Sequence, residues 1–222
     1  MVILTPNFCE LIGSIIGDGN IYDKIPFYVE ITGHPKNDLD YFENFLLPAI
    51  KNQLNYDAKI KIRDGAIRIR INNKNFVNFL KYIGIPSGKG KFERVKIPQE
   101  VISAPKDQLK ACIRGIFDTD GSVYFDKRKA YKKPYIRIEL HMANKELLLQ
   151  ISTLLNKMNI ENKLPENKTT LYINGKDNVS NYLKIIGIRN SRHSERIKTL
   201  YPELIPSNIA SVAQPVERLI DE

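Results

Sequence analysis

The chain has no tryptophan, three histidines and two cysteines in 222 residues. Cys9 and Cys112 are too few for a disulfide scaffold and lack metal-ligand spacing. No run of about 18 apolar residues exists, so no membrane span is expected. Residues 1–8 lack the basic stretch and apolar core of a secretory signal. A reduced, cytoplasmic protein is expected. The residues that protein splicing needs are missing too: the chain opens Met1-Val2 and closes Asp221-Glu222. That favours a free-standing or intron-encoded product. Acidic residues are in deficit, 25 against 34 basic ones, for a net charge of +9 and a pI near 9.4. Such a balance suits a polyanionic partner, without separating DNA from RNA or anionic lipid.

What is present is one motif written twice. Leu11-Ile12-Gly13-Ser14-Ile15-Ile16-Gly17-Asp18-Gly19 and Ile113-Arg114-Gly115-Ile116-Phe117-Asp118-Thr119-Asp120-Gly121 are apolar helical runs ending in Asp-Gly. Each carries a small residue at every fourth position. Cys9 and Cys112 fall inside these helices as small buried residues. The repeat extends further: Ile71-Asn72-Asn73-Lys74 matches Ile173-Asn174-Gly175-Lys176, and Glu93-Arg94-Val95-Lys96 matches Glu195-Arg196-Ile197-Lys198. Matches in one order at nearly one offset indicate duplication. Two domains related by a pseudo-dyad are expected, over residues 1–103 and 104–206. The tail, 207–222, lies beyond the second repeat and is expected to be dispensable.

Each copy reads as αββαββα, an α+β fold with helices on one face of an antiparallel sheet. Thr5 is a good N-cap and Pro6 a good first residue for a helix that ends at Gly17. Strands are expected near 20–24 and 27–33, and near 121–126 and 134–142. A helix runs through Leu39, Phe42, Phe45 and Leu46, spaced three and four apart. A second strand pair, 57–63 and 66–72, turns at Asp64-Gly65. A further helix covers about 74–83.

Alternation within the strands puts isoleucines on one face and cations on the other. Lys59, Lys61 and Arg63 share a face, as do Arg68, Arg70 and Asn72, and in copy two Arg137 and Glu139. A solvated sheet face is the plain reading. The functional one is a β-ribbon in a DNA groove, with cations on phosphates and base edges. Lys24, Lys163, Lys168 and Asn174 extend that surface, and the run holding Lys127, Arg128 and Lys132 reads as a hairpin tip on backbone phosphate.

Gly13 and Gly17, and Ala111, Gly115 and Thr119, form small-residue rows that let two helix backbones approach closely. The motif helices are therefore expected to cross at the domain interface. Asp18 and Asp120 then meet at two helix C-termini, each already the negative end of a dipole. A divalent metal with oxygen ligands offsets that charge. The free carbonyls at Gly17 and Thr119 are candidate additional ligands. Gly19 and Gly121 are expected to leave the helices in a left-handed turn. The bland alternative, that the two acids are only turn residues, suits either copy alone better than both together.

Both stretches resemble the LAGLIDADG signature of homing endonucleases, of the single-chain, two-motif kind. The second keeps Gly115, Asp118 and Asp120-Gly121; the first keeps Gly13 and Asp18-Gly19 but has Ile16 at the inner acidic position. Residues 31–36, 71–76 and 84–91 also look like stretches of that family. The resemblance implies two sheets forming a DNA-binding saddle in a monomer. It also implies Mg²⁺-dependent (or Mn²⁺-dependent) hydrolysis of both strands of a long duplex site across the minor groove, leaving 3′ overhangs. In that picture Asp18 and Asp120 bind the metal. Basic residues order the attacking water: Lys89 or Lys91 in copy one, Arg192 in copy two, with His34 and His141 as further candidates. Two alternatives on the same fold are an intron RNA maturase and a non-catalytic DNA-binding regulator. Retention of two crowded acids argues against the regulator.

Overall fold

The computed structural model describes residues 3–128, 134–166 and 169–205. Lys132, Lys168 and the tail 207–222, named above, lie outside the described residues.

Chain order follows the expected plan. Helix α1 (Pro6–Asp18) leads into strands β1 (Gly19–Tyr22) and β2 (Tyr28–Gly33). Its start is set by Thr5, whose hydroxyl accepts from Phe8 N at 3.1 Å, with Pro6 at the first helical position. Next come α2 (Leu39–Tyr41), a π-helical turn (Phe42–Leu46) and α3 (Leu47–Leu54), then β3 (Ile60–Arg63), β4 (Ala66–Ile71) and α4 (Lys74–Tyr82). The short helices α5 (Lys91–Arg94) and α6 (Gln99–Ile102) lead to α7 (Lys106–Asp120). The second half then runs β5 (Gly121–Asp126), β6 (Tyr135–His141), α8 (Lys145–Lys157), β7 (Thr170–Asn174), α9 (Lys176–Ile185) and α10 (Ser191–Lys198).

Both sheets are antiparallel, in the orders β1-β2-β4-β3 and β5-β6-β7. Val29, Ile31, Ile67, Ile69 and Ile71 point into the core beneath the first sheet, and Ile136, Ile138, Leu140, Leu171 and Ile173 do so beneath the second. The alternate residues line the opposite faces, as period-two burial requires. Asp64 and Gly65 both take positive φ, 53° and 71°, as a two-residue hairpin turn demands.

Four expectations need correcting. The second half has no full fourth strand among the described residues: only the isolated Lys163–Tyr172 bridge remains. Pro165 lacks a donor and the run before it does not alternate, which explains the loss. Ile62 is exposed rather than buried, because it sits at the free edge of β3. The helix through Phe45 continues to Leu54, but with a π turn in which Leu47 N bonds Phe42 O. Pro48 follows directly; it cannot donate and clashes with a regular preceding turn, and the wider turn accommodates it. Finally, Gly19 and Gly121 are extended, with φ of −85° and −82°, not left-handed. Their need for glycine is one of space: a Cβ would lie 2.5 Å from Ile15 O in one case and 2.0 Å from the Phe117 ring in the other.

Candidate active site

The two motif helices cross where their glycines are. A Cβ on Gly13 would sit 2.1 Å from Cys112 O, and one on Gly115 would sit 2.2 Å from Glu10 O. Backbone therefore meets backbone at the crossing, which only glycine permits. The approach continues to the helix ends, where a Cβ on Gly17 would lie 2.1 Å from Thr119 Oγ1 and 2.7 Å from Asp120 Oδ2. Cys9 and Cys112 are fully buried within these helices, and burial pushes the Cys9 thiol up to about 12.

Asp18 and Asp120 thus meet at the junction of the two halves. Burial, then the neighbouring Asp38 charge, raises Asp18 to about 6, against the pull of Arg192 and Lys91. Burial, then Asp18, raises Asp120 to about 7, again opposed by Lys91 and Arg192. Like charges at a desolvated site account for both directions.

Two cations cap the helix ends behind this pair. Lys91 is buried, and its ammonium donates to Ile15 O (2.5 Å), Ile16 O (3.1 Å) and Gly19 O (2.5 Å). All three of its protons are thereby engaged with the end of α1. Burial lowers its pKa to about 8, against the upward pull of Asp120 and Asp18. Arg192 does the same for α7, donating to Asp118 O (3.0 Å) and Thr119 O (2.6 Å). Its other arm reaches Asp38 Oδ1 at 2.8 Å. Asn190 donates to the same Asp38 oxygen at 2.8 Å and to Asp118 O at 3.1 Å, while Asp38 Oδ2 accepts from His34 N at 2.7 Å.

Of the basic candidates, then, Lys91 and Arg192 reach the acid pair. Lys89 does not: it is exposed on the preceding loop. His34 is an exposed turn residue whose Nδ1 accepts from Lys36 N and Asn37 N, each at 3.2 Å. His141 shares a 2.8 Å hydrogen bond with Thr170 and lines a cavity of about 210 Å³ together with Gly17, Asp120 and Phe92. The two histidines are not equivalent. Measured from Gly19 and Gly121, the strand register sets Thr32, not His34, opposite His141 in the repeat.

A buried network below the site was not legible in the motifs. Glu10, fully buried on α1, accepts from Arg114 (2.9 and 2.5 Å) and from Arg189 (2.7 and 3.3 Å). Arg114 belongs to α7, so this pairing ties the halves together. Asp118 is also fully buried. Its Oδ2 accepts from Arg189 N at 2.9 Å, Oδ1 has no partner among the described residues, and burial and then Glu10 raise it to about 7. The only sequence signal was a glutamate three residues before Gly13, on the face that α1 buries.

On the first sheet, Lys59, Lys61, Arg63, Arg68, Arg70 and Asn72 line one trough of about 680 Å³ with Glu30 and Tyr56. On the second, Arg137, Glu139 and Asn174 share the corresponding face, and exposed Lys127 and Arg128 follow β5. Lys24 is exposed in the β1–β2 turn, and Lys163 is exposed at the bridge to Tyr172.

No group of three or more His, Cys, Asp or Glu side chains suited to a metal occurs among the described residues. The pair does offer hard oxygen donors: two carboxylates that repel each other, and the carbonyl of Gly17. That set fits Mg²⁺ or a similar ion, which takes one or two carboxylates and completes its shell with water and phosphate. The Thr119 carbonyl, the fourth expected donor, already accepts from Arg192.

Fold and site define a class: a doubled α+β protein with two polar sheet faces and one carboxylate pair where its motif helices end. Known proteins agree. Residues 107–187 match the profile of a LAGLIDADG-like domain, and residues 10–102 that of the WhiA LAGLIDADG-like domain. The chain belongs to the LAGLIDADG family and carries its motif twice. The homing endonuclease I-DmoI, solved with DNA and Mn, superposes with a TM-score of 0.56 at 18% identity, over 83% of this chain and 98% of that one. I-WcaI, bound to its DNA recognition sequence, gives 0.54 at 17%, over 90% and 88%. Full-length DUF199/WhiA from Thermatoga maritima gives 0.53 at 16%, over 93% and 63%. At such identities the likeness is one of fold.

Curated relatives include a probable translation initiation factor IF-2 (30% identical over 83% of this chain) and a reverse gyrase (27% over 82%), both from Methanocaldococcus jannaschii. The chain spans 14% and 10% of their lengths. Each match thus covers a small part of a much longer protein, and the names of those whole proteins do not carry over to this chain. Among the described residues no helix is long and apolar enough to cross a membrane.

Proposed function

We propose that this protein is a divalent-metal-dependent, site-specific DNA endonuclease acting as a monomer. It would cut both strands of a long duplex site across the minor groove and leave 3′ overhangs. The observation that carries this reading is the meeting of Asp18 and Asp120 at the helix crossing, between two sheet faces rich in arginine and lysine.

Asp18 and Asp120, with the Gly17 carbonyl, would hold the ion, Mg²⁺ or in its place Mn²⁺. When bound, the ion supplies Lewis-acid activation of water and stabilises charge on the phosphodiester. The chain's own residues do the rest. Arg192 and Lys91 set positive charge beside the scissile phosphates, and their bonds to the helix-end carbonyls fix their positions. His141, which lines the cavity with Asp120, would be the neighbouring imidazole that orders the attacking water. The sheet faces hold the duplex on either side, through phosphate contacts and base edges.

A second reading, a non-catalytic DNA-binding protein, is favoured by the WhiA-like profile over 10–102. Two crowded carboxylates with raised pKa values speak against it, because binding alone gains nothing from them. Plasmid cleavage in Mg²⁺ and in EDTA separates the two. The nuclease reading expects defined double-strand breaks in Mg²⁺ only. Tight, sequence-selective binding with no break in Mg²⁺ or Mn²⁺ at any site would support the regulator instead.

A further inference from the structure

The two sheet faces carry the same four-residue box with two members exchanged. In the first sheet Gly19 lies opposite Ile31, and in the second Gly121 lies opposite Leu140. Counting from these pairs makes Glu30 equivalent to Glu139, Tyr22 to Tyr124, Tyr28 to Arg137 and Arg70 to Tyr172. Each box thus holds one glutamate, one arginine and two tyrosines. The arginine sits on β4 in the first and on β6, the counterpart of β2, in the second.

The geometry within the boxes is also alike. Arg70 donates its Nε to Glu30 Oε2 at 2.7 Å, and its Cζ lies 4.2 Å from the centre of the Tyr28 ring, which stacks on Tyr22 at 5.1 Å. Arg137 donates its Nε to Glu139 Oε1, and its Cζ lies 4.4 Å from the Tyr124 ring and 5.4 Å from that of Tyr172. In both, the carboxylate takes Nε and the rings take the flat face. Both Nη groups of each arginine carry no hydrogen bond among the described residues. Arg68 differs, because its Nη1 is bound to Glu30 at 3.3 Å.

A carboxylate on a surface that meets a polyanion works against affinity. Its recurrence at one register, bound each time to Nε, calls for a reason other than charge. An arginine fixed at Nε and stacked on tyrosine presents a rigid two-pronged donor and has little rotamer freedom left to lose. That fork matches the O6 and N7 acceptors of guanine in the major groove. We propose that Arg70 and Arg137 are matched guanine readers, one in each half, and that Glu30 and Glu139 are the positioning residues that aim them.

This rests on the reading that the sheet faces bind duplex DNA. Neighbouring strands are about 4.8 Å apart and base pairs about 3.4 Å. The two guanines therefore lie at distances from the target centre that agree within one or two base pairs, despite the exchange of strands.

The test is selection of bound duplexes from a randomised pool by the full chain, in EDTA so that bound DNA is not cut. Wild type selects a sequence with two fixed guanines, each preferred by about 5- to 150-fold. Arg70→Met, which keeps the stem but has no donor, brings one column toward parity and Arg137→Met the other, with circular dichroism confirming the fold. Glu30→Ala relaxes the Arg70 column while total binding holds or rises, since a negative charge leaves the face; a merely structural role would lower both. Two guanine columns unchanged in both methionine variants, with a sequence still selected, would overturn the proposal alone. A wild-type pool that gains no sequence would overturn the duplex-reading role of the faces, and the proposal with it.

Discussion

The ends of α1 and α7 present the same problem and are neutralised differently. Each brings an aspartate to a helix C-terminus, where the dipole is already negative. At α1 a single ammonium suffices: Lys91 spends its three protons on three carbonyls. At α7 a guanidinium spans two carbonyls and is itself held by Asp38, which comes from the other half. The inner positions differ as well, Ile16 in the first helix and Asp118 in the second, which packs beside the buried Asn190 and His193. The two halves share the acid pair and the glycine crossing and differ in their supports.

The largest effect that tests this symmetry is on the pair itself. Asp18→Asn and Asp120→Asn should each lower double-strand cleavage by about a thousandfold, with site binding retained. Equal losses mean one shared centre; a variant that still cuts both strands at the wild-type rate breaks the account.

Glu10 probes the link between the halves. Glu10→Gln leaves Arg114 and Arg189 without their counter-charge and should cost about 3–5 kcal/mol in denaturant unfolding. A loss below about 1 kcal/mol would mean that the network is not coupled to the interface.

The crossing glycines sharpen the comparison further. Gly13→Ala and Gly115→Ala each push a methyl against the opposite backbone and should cost about 1–3 kcal/mol, by similar amounts. A strong effect at one and none at the other would show a crossing less symmetric than its geometry.

The smallest effect concerns pH. Folded values near 6 and 7 for Asp18 and Asp120 lie above the ordinary 3.8, so the folded chain binds these protons more tightly than the unfolded one. Their contribution to stability is fullest below pH 4 and is lost as pH rises through 7. His193, lowered to about 3 by burial and then Arg192, acts oppositely and loses stability as pH falls from 6.5. In metal-free protein Asp120→Asn should therefore be more stable than wild type by about 1–2 kcal/mol at pH 8 and no more stable at pH 4. Thermal melts of both proteins at the two pH values check the sign.

Local rules made much of this legible. Thr5-Pro6, the Asp64-Gly65 turn and strand alternation fixed α1 and the hairpins, because each depends on neighbours in sequence. The doubled Asp-Gly helix located Asp18 and Asp120, because duplication makes the same signal appear twice. Residues that act across the interface stayed hidden. Asp38 meets Arg192 across 154 positions, and Glu10 meets Arg189 across 179, so no spacing announces either. Lys91 stood beside Lys89 with nothing to rank them, and only burial did so. The π turn follows from Pro48, a single residue that overrides a favourable pattern; among the described residues, the bridge that stands in place of a fourth strand follows from Pro165 and a run before it that does not alternate.

The central claim is that Asp18 and Asp120 form one cleavage centre served by both halves. It is tested most directly by incubating a plasmid library with the protein in Mg²⁺ and in EDTA, then sequencing the ends. Paired breaks with short 3′ overhangs at one sequence, present in Mg²⁺ and absent both in EDTA and with Asp18→Asn, are predicted. Folded, DNA-bound protein that leaves every site of the library intact in Mg²⁺ and Mn²⁺ would contradict it.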